Sequence, residues 1–445
     1  MTSNPSTRAI EASQAREELK RVKVSIQPEQ ISSAGREVVR VLQDAGHEAY
    51  LVGGCIRDAL LAITPKDFDV ATSATPDEVK GLFRKCRLIG RRFRLAHIFV
   101  RGELIEVATF RKAAVEAQSS KDSSEESDDE AIDASAQDQQ SCDQGILTAD
   151  NAYGSLNEDI VRRDFTVNAL YLDPFSMEII DEVDGLQDLE NRCIRLIGDP
   201  QVRFREDPVR ILRALRFSAK LDFNIDPVTA GVIPTFAPLL NEIPKARLFE
   251  ELQKLFISAY AKACFDKLVE NDILKYLLPQ TNIFLQYEPI RKMLDLALEN
   301  TSARIRKGKN ITPSFLLAIF LWGPVRAWQQ HFRQGGSPAM LALHRATQQV
   351  VYIQAESTAL PKRFTGPMQD IFELQERLCK ATRKNAFKTL QHRRFRAAFD
   401  FLVIREMAGD IEPGIARWWL DLQTADKAGQ QAMLKSLRSG QSRRR

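Results

Sequence analysis

The sequence contains no Cys-x-x-Cys pair, and its six cysteines are scattered over 445 residues. Disulfide frameworks and structural zinc sites need closely spaced ligands, so the pattern disfavours both and predicts reduced thiols. Long apolar runs are also missing, because the longest, from Ser314 to Val325, is too short to cross a bilayer and contains Pro324. No apolar segment near the start resembles a signal peptide. These absences predict a cytoplasmic protein without a transmembrane segment.

The net charge is only +4, but it is distributed unevenly along the chain. Residues 118–145 contain nine acidic residues and one lysine, which predicts a disordered acidic insertion at about 116–150. Residues 361–405 instead contain eleven Lys or Arg and four acidic residues. Such a basic stretch suggests a polyanionic partner, although a solvated helix face has the same composition.

Apolar periodicity divides the chain into two kinds of structure. Strand-like and helical segments alternate up to about residue 185, and helical periodicity dominates afterwards. We therefore predict an α+β fold, with a small head containing a mixed or antiparallel sheet and an elongated, all-helical neck and body. The predicted divisions are a flexible tail at 1–31, a head at 32–182, a neck at 183–256 and a body at 257–445.

The segment PKDFDVAT places Asp67 and Asp69 one residue apart in a predicted strand. Because side chains alternate in a strand, both carboxylates would lie on one face and Phe68 would be buried on the other. Two like charges this close are unfavourable unless a cation lies between them, and hard divalent cations prefer oxygen ligands. Glu106, on a neighbouring predicted strand, is a candidate third ligand. The alternative is a pair of solvent-facing acids on an edge strand.

A glycine pair, Gly53-Gly54, separates the predicted strand AYLV from the next predicted helix. Glycines at this position let backbone N–H groups approach an anion such as phosphate. Arg57, one helical turn further, would reach the same anion. A glycine pair alone is a weak signal, but its combination with two nearby aspartates is much more specific.

The combination LVGG-x-x-RD and DFD closely resembles the head of the nucleotidyltransferase superfamily, in the class II branch that contains bacterial poly(A) polymerases and CCA-adding enzymes. Four further motifs follow in the family's order: RRDFTVNAL (162–170), DEVDGLQDL (181–189), REDPVRILRALRF (205–217) and ARLFEELQKLF (246–256). The resemblance implies that RRDFTVNAL contacts the ribose and triphosphate of the nucleotide and that DEVDGLQDL is a hinge between head and neck. It also implies that REDPVRILRALRF recognises the base and that ARLFEELQKLF braces this base-reading helix.

The resemblance also implies roles for individual residues. The catalytic residues would be Asp67, Asp69, Glu106 and Asp164, of which the first three would hold two Mg²⁺ ions. The nucleotide-binding residues, with ATP as substrate, would be Gly53, Gly54, Arg57, Arg163, Asp207, Arg210 and Arg213.

Plain structural explanations exist for two of these groups. Helical spacing would place Asp207 and Arg210 on one face, where a surface salt bridge contributing under about 1 kcal/mol explains them equally well. Arg163 and Asp164 precede a predicted apolar strand, so Asp164 also fits a strand cap.

Two segments favour the tail-adding branch over the CCA-adding branch. LIGRRFRLAHIFV and HRRFRAAFDFLVIREMAG resemble the corresponding segments of bacterial poly(A) polymerases. They predict RNA binding by six arginines, Arg91, Arg92, Arg94, Arg393, Arg394 and Arg396. His97, in the first segment, lies in an apolar strand and is predicted to be a core residue, as is Phe399 in the second. The five histidines include no His-Asp pair, which argues against the phosphohydrolase domain found in some CCA-adding enzymes.

The activity implied by the resemblance is template-independent addition of AMP from ATP to the 3′-hydroxyl of RNA, with release of pyrophosphate, promoting RNA turnover. RNA 3′ ends and ATP are the expected partners, and RNA-decay proteins are candidate partners. The nearest alternative is a CCA- or A-adding tRNA nucleotidyltransferase. A catalytically inactive RNA-binding protein is an alternative of another class. A small-molecule nucleotidyltransferase would not need the long basic body.

Overall fold

A computed structural model describes residues 19–90, 94–112 and 153–437. Most of the predicted tail, the acidic insertion, Arg91 and Arg92 lie outside these residues. The chain divides into two compact units, Met1–Gly198 and Asp199–Arg445. The first contains the sheet and the second is almost entirely helical, which confirms the predicted α+β fold class.

Eight strands of the first unit form one mixed sheet. They are β1 (Arg21–Lys23), β2 (Ala49–Val52), β3 (Asp69–Thr72), β4 (Cys86–Ile89), β5 (Leu95–Val100), β6 (Glu103–Thr109), β7 (Tyr171–Asp173) and β8 (Glu178–Ile180). Their order across the sheet is β1-β8-β7-β2-β3-β6-β5-β4. Neighbouring strands are antiparallel except β3 and β6, which run parallel.

Short helices connect these strands. They are α1 (Ser33–Asp44), α2 (Gly54–Leu60), α3 (Pro76–Leu82), α4 (Leu156–Val161) and α5 (Gly185–Glu190), followed by the two-residue strand β9 (Cys193–Ile194). Local chemistry sets the helix starts: Ser32 accepts a hydrogen bond at the start of α1, and Thr75 forms a capping box with Glu78 before α3. One prediction here was wrong, because TVNALYLD is not a single strand. Its first residues form a 3-10 turn, Thr166–Asn168, before β7.

A two-residue turn at Arg101 and Gly102 joins β5 to β6. Both residues have positive φ, 50° and 85°, which is the conformation of a tight hairpin whose twist matches the strands. The turn fixes the register, so that His97 lies opposite Glu106.

One face of the central strands is buried, and the other is buried along β2 and most of β3 but open at Asp69 and Glu106. Helix α1 packs against β2, β3 and β6. Phe68 and Val70 are buried, at 8% and 0% exposure, whereas Asp67 and Asp69 remain accessible. The predicted alternation is therefore present, and both aspartates lie on the open face, although the strand itself begins only at Asp69.

The second unit is built from helices, apart from the two-residue strand β10 (Asn224–Ile225) between α7 and α8. The helices are α6 (Pro200–Glu206), α7 (Val209–Leu221), α8 (Pro227–Phe236), α9 (Lys245–Phe256), α10 (Ala261–Glu270), α11 (Leu274–Leu277), α12 (Pro279–Phe284), α13 (Glu288–Arg306), α14 (Pro313–Phe320), α15 (Trp322–Gln334), α16 (Ala339–Ala355), α17 (Lys362–Cys379), α18 (Arg383–Leu390), α19 (Phe395–Met407), α20 (Ile415–Thr424) and α21 (Lys427–Ser436).

A core cluster in the C-terminal part of this unit contains Trp419 and, as predicted, Phe399. Within the described ranges, none of the helices is both long enough and apolar enough to span a membrane. The five cysteines that the structure describes are free thiols.

Candidate active site

Three carboxylates meet on the open face of the sheet. Asp69 on β3 and Glu106 on β6 are direct partners across the parallel pair, and Asp67 lies just before β3. Desolvation, followed by the negative charge of Glu106, raises the pKa of Asp69 to about 6. Arg163 opposes this shift, while Asp67 adds to it. The register therefore places Asp69 beside Glu106, and Asp67 is near enough to affect Asp69, while a joint role of the three as metal ligands stays a prediction.

The chemistry of this cluster fits a hard divalent cation. Carboxylate oxygens are preferred ligands of Mg²⁺. The pKa of Asp69 is raised first by desolvation and then by the negative charge of Glu106, and a bound cation would oppose both effects. Among the residues that the structure describes, no group of three or more His, Cys, Asp or Glu side chains lies close enough together to hold a metal ion. Mg²⁺ usually binds one or two protein carboxylates together with water and phosphate oxygens, so a complete protein cage is not required.

The glycine turn lies beside this cluster. Gly53 has φ 80° and precedes α2, a backbone conformation that favours glycine. A Cβ atom added to Gly53 would lie 3.7 Å from the carbonyl oxygen of Asn168 and 3.8 Å from Nη1 of Arg163. The turn therefore brings a guanidinium next to the open backbone of the two glycines.

Buried partners fix Arg163 in place. Its Nε donates to the hydroxyl of Tyr171 at 2.5 Å, and its Nη2 donates to Oδ2 of Asp159 at 3.1 Å. The Tyr171 hydroxyl in turn donates to Asp159 at 2.5 Å. Burial alone would lower the pKa of Arg163, but Tyr171 and Asp159 outweigh burial and raise it. The sequence analysis missed Asp159 and Tyr171, although Asp159 lies four residues before Arg163, a spacing at which side chains on one helix face can meet.

A second network connects the glycine turn to the motif RRDFTVNAL. Arg57 Nη1 donates to Asn168 Oδ1 at 2.5 Å, and its Nε donates to Asp58 at 2.8 Å. Asn168 Nδ2 donates to Oδ1 of Asp164 at 3.3 Å. Arg57 is only 2% exposed, so it braces the turn, and its direct contact with phosphate stays a prediction. Asp164 precedes a 3-10 turn and not a strand, so the strand-cap explanation was wrong.

The predicted base-reading pair lies in the second unit, and its geometry differs from the prediction. Asp207 has an extended backbone before α7, because the following residue is Pro208, so it does not share a helix face with Arg210. Its Oδ2 instead accepts a hydrogen bond from Arg247 Nη2 at 2.6 Å. Arg210 donates to Glu206 at 2.8 Å. The sequence analysis did not single out Arg247, although it identified the motif ARLFEELQKLF that contains it.

Arg213, the remaining predicted nucleotide contact, is on α7 and stacks over Phe217 at 5.4 Å. Arg216 packs against the same ring at 4.5 Å. These contacts hold two arginines along one stretch of α7, next to the predicted base-reading residues.

A basic pocket of about 630 Å³ occupies the C-terminal part of the second unit. Three of the predicted RNA-binding residues line it, Arg393, Arg394 and Arg396, together with Arg304, Lys307 and Lys309 from the end of α13 and the loop after it. Asp400 is the acidic residue in the lining, and it pairs with Arg396 at 3.0 Å. In the first unit, Arg94 is exposed and pairs with Asp77 at 3.3 Å.

Three family models match the chain. They are the poly A polymerase head domain at residues 49–195, the probable RNA and SrmB-binding site of polymerase A at residues 222–285, and the polymerase A arginine-rich C-terminus at residues 335–445.

Curated relatives and solved structures agree with these matches. Poly(A) polymerase I of Salmonella typhimurium is 41% identical over 419 residues, which cover 93% of this chain and 87% of that protein. The CCA-adding enzyme of Enterococcus faecalis is 36% identical over 239 residues, covering 54% of this chain and 52% of that protein. A solved structure described as a tRNA-processing enzyme (apo form I) matches with a TM-score of 0.58 at 22% identity, covering 94% of this chain and 100% of that chain, and so shares the fold. The predicted family is confirmed: the chain belongs to the poly(A) polymerase I family of nucleotidyltransferases.

Proposed function

We propose that the chain adds AMP from ATP to the 3′-hydroxyl of RNA without a template and releases pyrophosphate. The observation that carries this proposal is the placement of Asp69 and Glu106 as cross-strand partners beside the glycine turn and Arg163. Carboxylates beside a fixed positive charge support a reaction between a triphosphate and a hydroxyl.

In the reaction, the RNA 3′-oxygen forms a bond to the α-phosphorus of ATP. The bond between that phosphorus and the oxygen bridging to the β-phosphate breaks, and pyrophosphate leaves with the electron pair. The proton of the 3′-hydroxyl passes to solvent, so the products are RNA longer by one AMP and pyrophosphate. Catalysis of such a transfer depends mainly on positioning and on neutralising the phosphate charge.

The site residues divide this work. Asp67, Asp69 and Glu106 would hold two Mg²⁺ ions, which when bound promote ionisation of the 3′-hydroxyl and neutralise the leaving pyrophosphate. Gly54 would offer its backbone N–H to the triphosphate, whereas Gly53, whose N–H donates to the carbonyl oxygen of Leu170 at 3.3 Å, shapes the turn through its positive φ. Arg57 braces this turn. Fixed by Tyr171 and Asp159, Arg163 adds positive charge at the turn. The remaining predicted contacts are Asp164 with the ribose, Asp207 and Arg210 with the adenine, and Arg213 with phosphate.

RNA is held chiefly through its phosphates in this proposal. The basic pocket of the second unit supplies Arg393, Arg394 and Arg396, and Arg94 supplies an exposed charge in the first unit. Binding of this kind weakens with salt and shows little sequence preference. We also propose RNA-decay proteins as partners. A cytoplasmic location is proposed as well, and the free cysteines favour it.

The coverage of the relatives favours tail addition over CCA addition. The match to a poly(A) polymerase I extends over 93% of this chain, whereas the match to a CCA-adding enzyme covers 54%. The basic pocket lies in residues 300–404. The motifs common to both branches end at residue 256, so the pocket lies outside the part of the sequence that they share.

The test is an assay with two acceptors and two nucleotides. Purified protein is incubated with an unrelated RNA and with tRNA lacking its CCA end, each with ATP or CTP. We expect ATP-dependent lengthening of the unrelated RNA and no incorporation of CTP. Incorporation of CTP on tRNA alone would establish the CCA-adding alternative, and an Asp69→Ala variant that still lengthens RNA would contradict the proposed site.

A further inference from the structure

The open face of the sheet continues beyond the carboxylates. In register, Asp69 lies opposite Glu106, Glu106 opposite His97, and His97 opposite Arg87. These four side chains form one row across β3, β6, β5 and β4, because paired residues on adjacent strands point to the same face. The row therefore connects the proposed catalytic carboxylates to the edge of the sheet.

Large apolar side chains are exposed on the same face. Phe99 is 50% exposed, its cross-strand partner Leu104 is 49% exposed, and Ile89 on β4 is 41% exposed. The alternating positions of β5 are almost fully buried, at 1% for Ala96 and 0% for Ile98. The strands are thus well packed on their inner face, and the exposed apolar patch on the outer face is typical of a binding surface.

Positive charge borders this patch on its β4 side. A shallow cavity of about 430 Å³ is lined by Phe99 and Leu104 together with His97, Ile89, Cys86, Arg84, Lys85 and Arg87. Three of these side chains are cationic and none is acidic. An exposed aromatic ring on a sheet, bordered by cations, is the arrangement that binds single-stranded nucleic acids by base stacking and phosphate contacts.

The strand order indicates which reactant this face receives. The glycine turn follows β2 and lies beside Arg163, so the triphosphate is expected on the β2 side of the carboxylates. β5 and β4 lie on the opposite side, beyond β6. Since the attacking and leaving oxygens are roughly in line in phosphoryl transfer, the second reactant approaches from the β5 and β4 side.

We propose that this face is a platform for the 3′-terminal nucleotides of the acceptor RNA, on which Phe99 stacks a base and Arg84, Lys85 and Arg87 contact phosphates. The inference rests on the proposed function and adds the place where the acceptor strand lies. β5 is two strands from β3, roughly 10 Å away. The stacked base therefore belongs to the last few nucleotides before the reacting hydroxyl.

The test measures RNA binding without turnover. Full-length protein is titrated into a single-stranded RNA that carries 2-aminopurine near a 3′-deoxy end, with no ATP present. We expect quenching of the fluorophore by the wild-type protein. For Phe99→Ala we expect weaker quenching and a Kd for the RNA at least about five-fold higher, because stacking of one base on an aromatic ring strengthens binding by at least about that factor. The KM for ATP should stay unchanged.

Two variants serve as controls. Phe99→Trp keeps a stacking surface and should retain wild-type quenching and affinity. Phe175→Ala removes a phenylalanine that is 45% exposed between β7 and β8, in the other half of the sheet, and should leave both quantities unchanged. If Phe99→Trp is as weak as Phe99→Ala, stacking is not the cause and the platform is wrong.

Failure of the platform and failure of the proposed function give different results. If wild-type protein lengthens RNA with ATP but Phe99→Ala matches its Kd and quenching, the platform is overturned and the activity stands. If wild-type protein lengthens no RNA, the proposed function itself is overturned.

For Arg87→Gln we expect the slope of log binding constant against log salt to fall by about 0.7, the value for one phosphate contact on a single strand.

Discussion

Asp69 and Glu106 lie directly opposite each other on the only parallel pair of the described sheet, with their carboxylates on its open face. Desolvation and the charges of Glu106 and Asp67 raise the pKa of Asp69 to about 6, against the opposing charge of Arg163. At neutral pH the ionised carboxylate therefore lowers the stability of the fold, and a cation bound at the proposed site would offset that loss. The negative charge that lowers the folding stability is also the charge that would attract a cation to Asp69.

The first prediction concerns Asp69→Asn in the presence of a chelator. The pKa of Asp69 is higher in the folded than in the unfolded chain, so the stability that comes from its proton is complete below about pH 4. That stability is lost as the pH rises through about 6. We therefore expect Asp69→Asn to have a higher Tm than the wild type at pH 8, with a smaller difference at pH 5. Thermal unfolding at the two pH values measures this.

Magnesium and a second carboxylate provide controls for that experiment. Added MgCl₂ should raise the Tm of the wild type at pH 8 and have a smaller effect on Asp69→Asn. Glu48→Gln, at an exposed position just before β2, should show no such dependence on pH or magnesium. A Tm difference between Asp69→Asn and wild type that is the same at pH 5 and pH 8 would contradict the assignment of the shift to this carboxylate.

The second prediction concerns the support of Arg163. Tyr171→Phe removes the hydroxyl that accepts from Arg163 and donates to Asp159, both at 2.5 Å. We expect a loss of about 1–2 kcal/mol in the free energy of unfolding and a several-fold higher KM for ATP, because the guanidinium loses one of its anchors. Denaturant unfolding and steady-state kinetics measure the two effects.

Tyr50→Phe is the matched control for this variant. Tyr50 belongs to the same buried core as Tyr171, and its hydroxyl is bonded to Arg21. The KM for ATP should be unchanged in Tyr50→Phe. Equal increases in KM for both variants would mean that loss of core stability, and not the position of Arg163, is responsible.

The third prediction concerns Arg247, which binds Asp207 at 2.6 Å. In Arg247→Ala the Asp207 carboxylate loses the partner that orients it, so we expect the preference for ATP over CTP to fall several-fold. The Tm should change little, because an exposed ion pair contributes roughly 0–1 kcal/mol. Lys254→Ala, which breaks the ion pair with Glu251 on the same helix, should leave the nucleotide preference intact. An unchanged preference in Arg247→Ala would show that Asp207 does not read the base.

Local patterns predicted much of the first unit. Alternation in PKDFDVAT placed both aspartates on one face. The prediction that His97 is a core residue was wrong, although the alternation of residues in β5 and the turn after it were present in the sequence. Ala96 and Ile98 are the buried residues of β5, and the two-residue turn at Arg101 and Gly102 sets His97 opposite Glu106.

Long-range contacts were beyond the reach of sequence patterns. The ion pair of Asp207 and Arg247 joins residues forty positions apart, and it depends on how α7 and α9 pack. The same holds for the contact between Arg163 and the glycine turn, which follows from the fold and from no local spacing. Extended backbone at Asp207 was predictable from Pro208, but the helical period of the following residues masked it.

The fourth prediction concerns the basic pocket of the second unit. Arg396→Ala removes one cation from its lining, so we expect weaker RNA binding and a salt slope smaller by about 0.7. Arg417→Ala is a close match outside the pocket lining, since both side chains are 74% exposed and both pair with an aspartate four residues later on their helix. Its salt slope should equal that of the wild type. Because both substitutions remove the same charge, equal losses for the two would assign RNA binding to overall charge and contradict a role for the pocket.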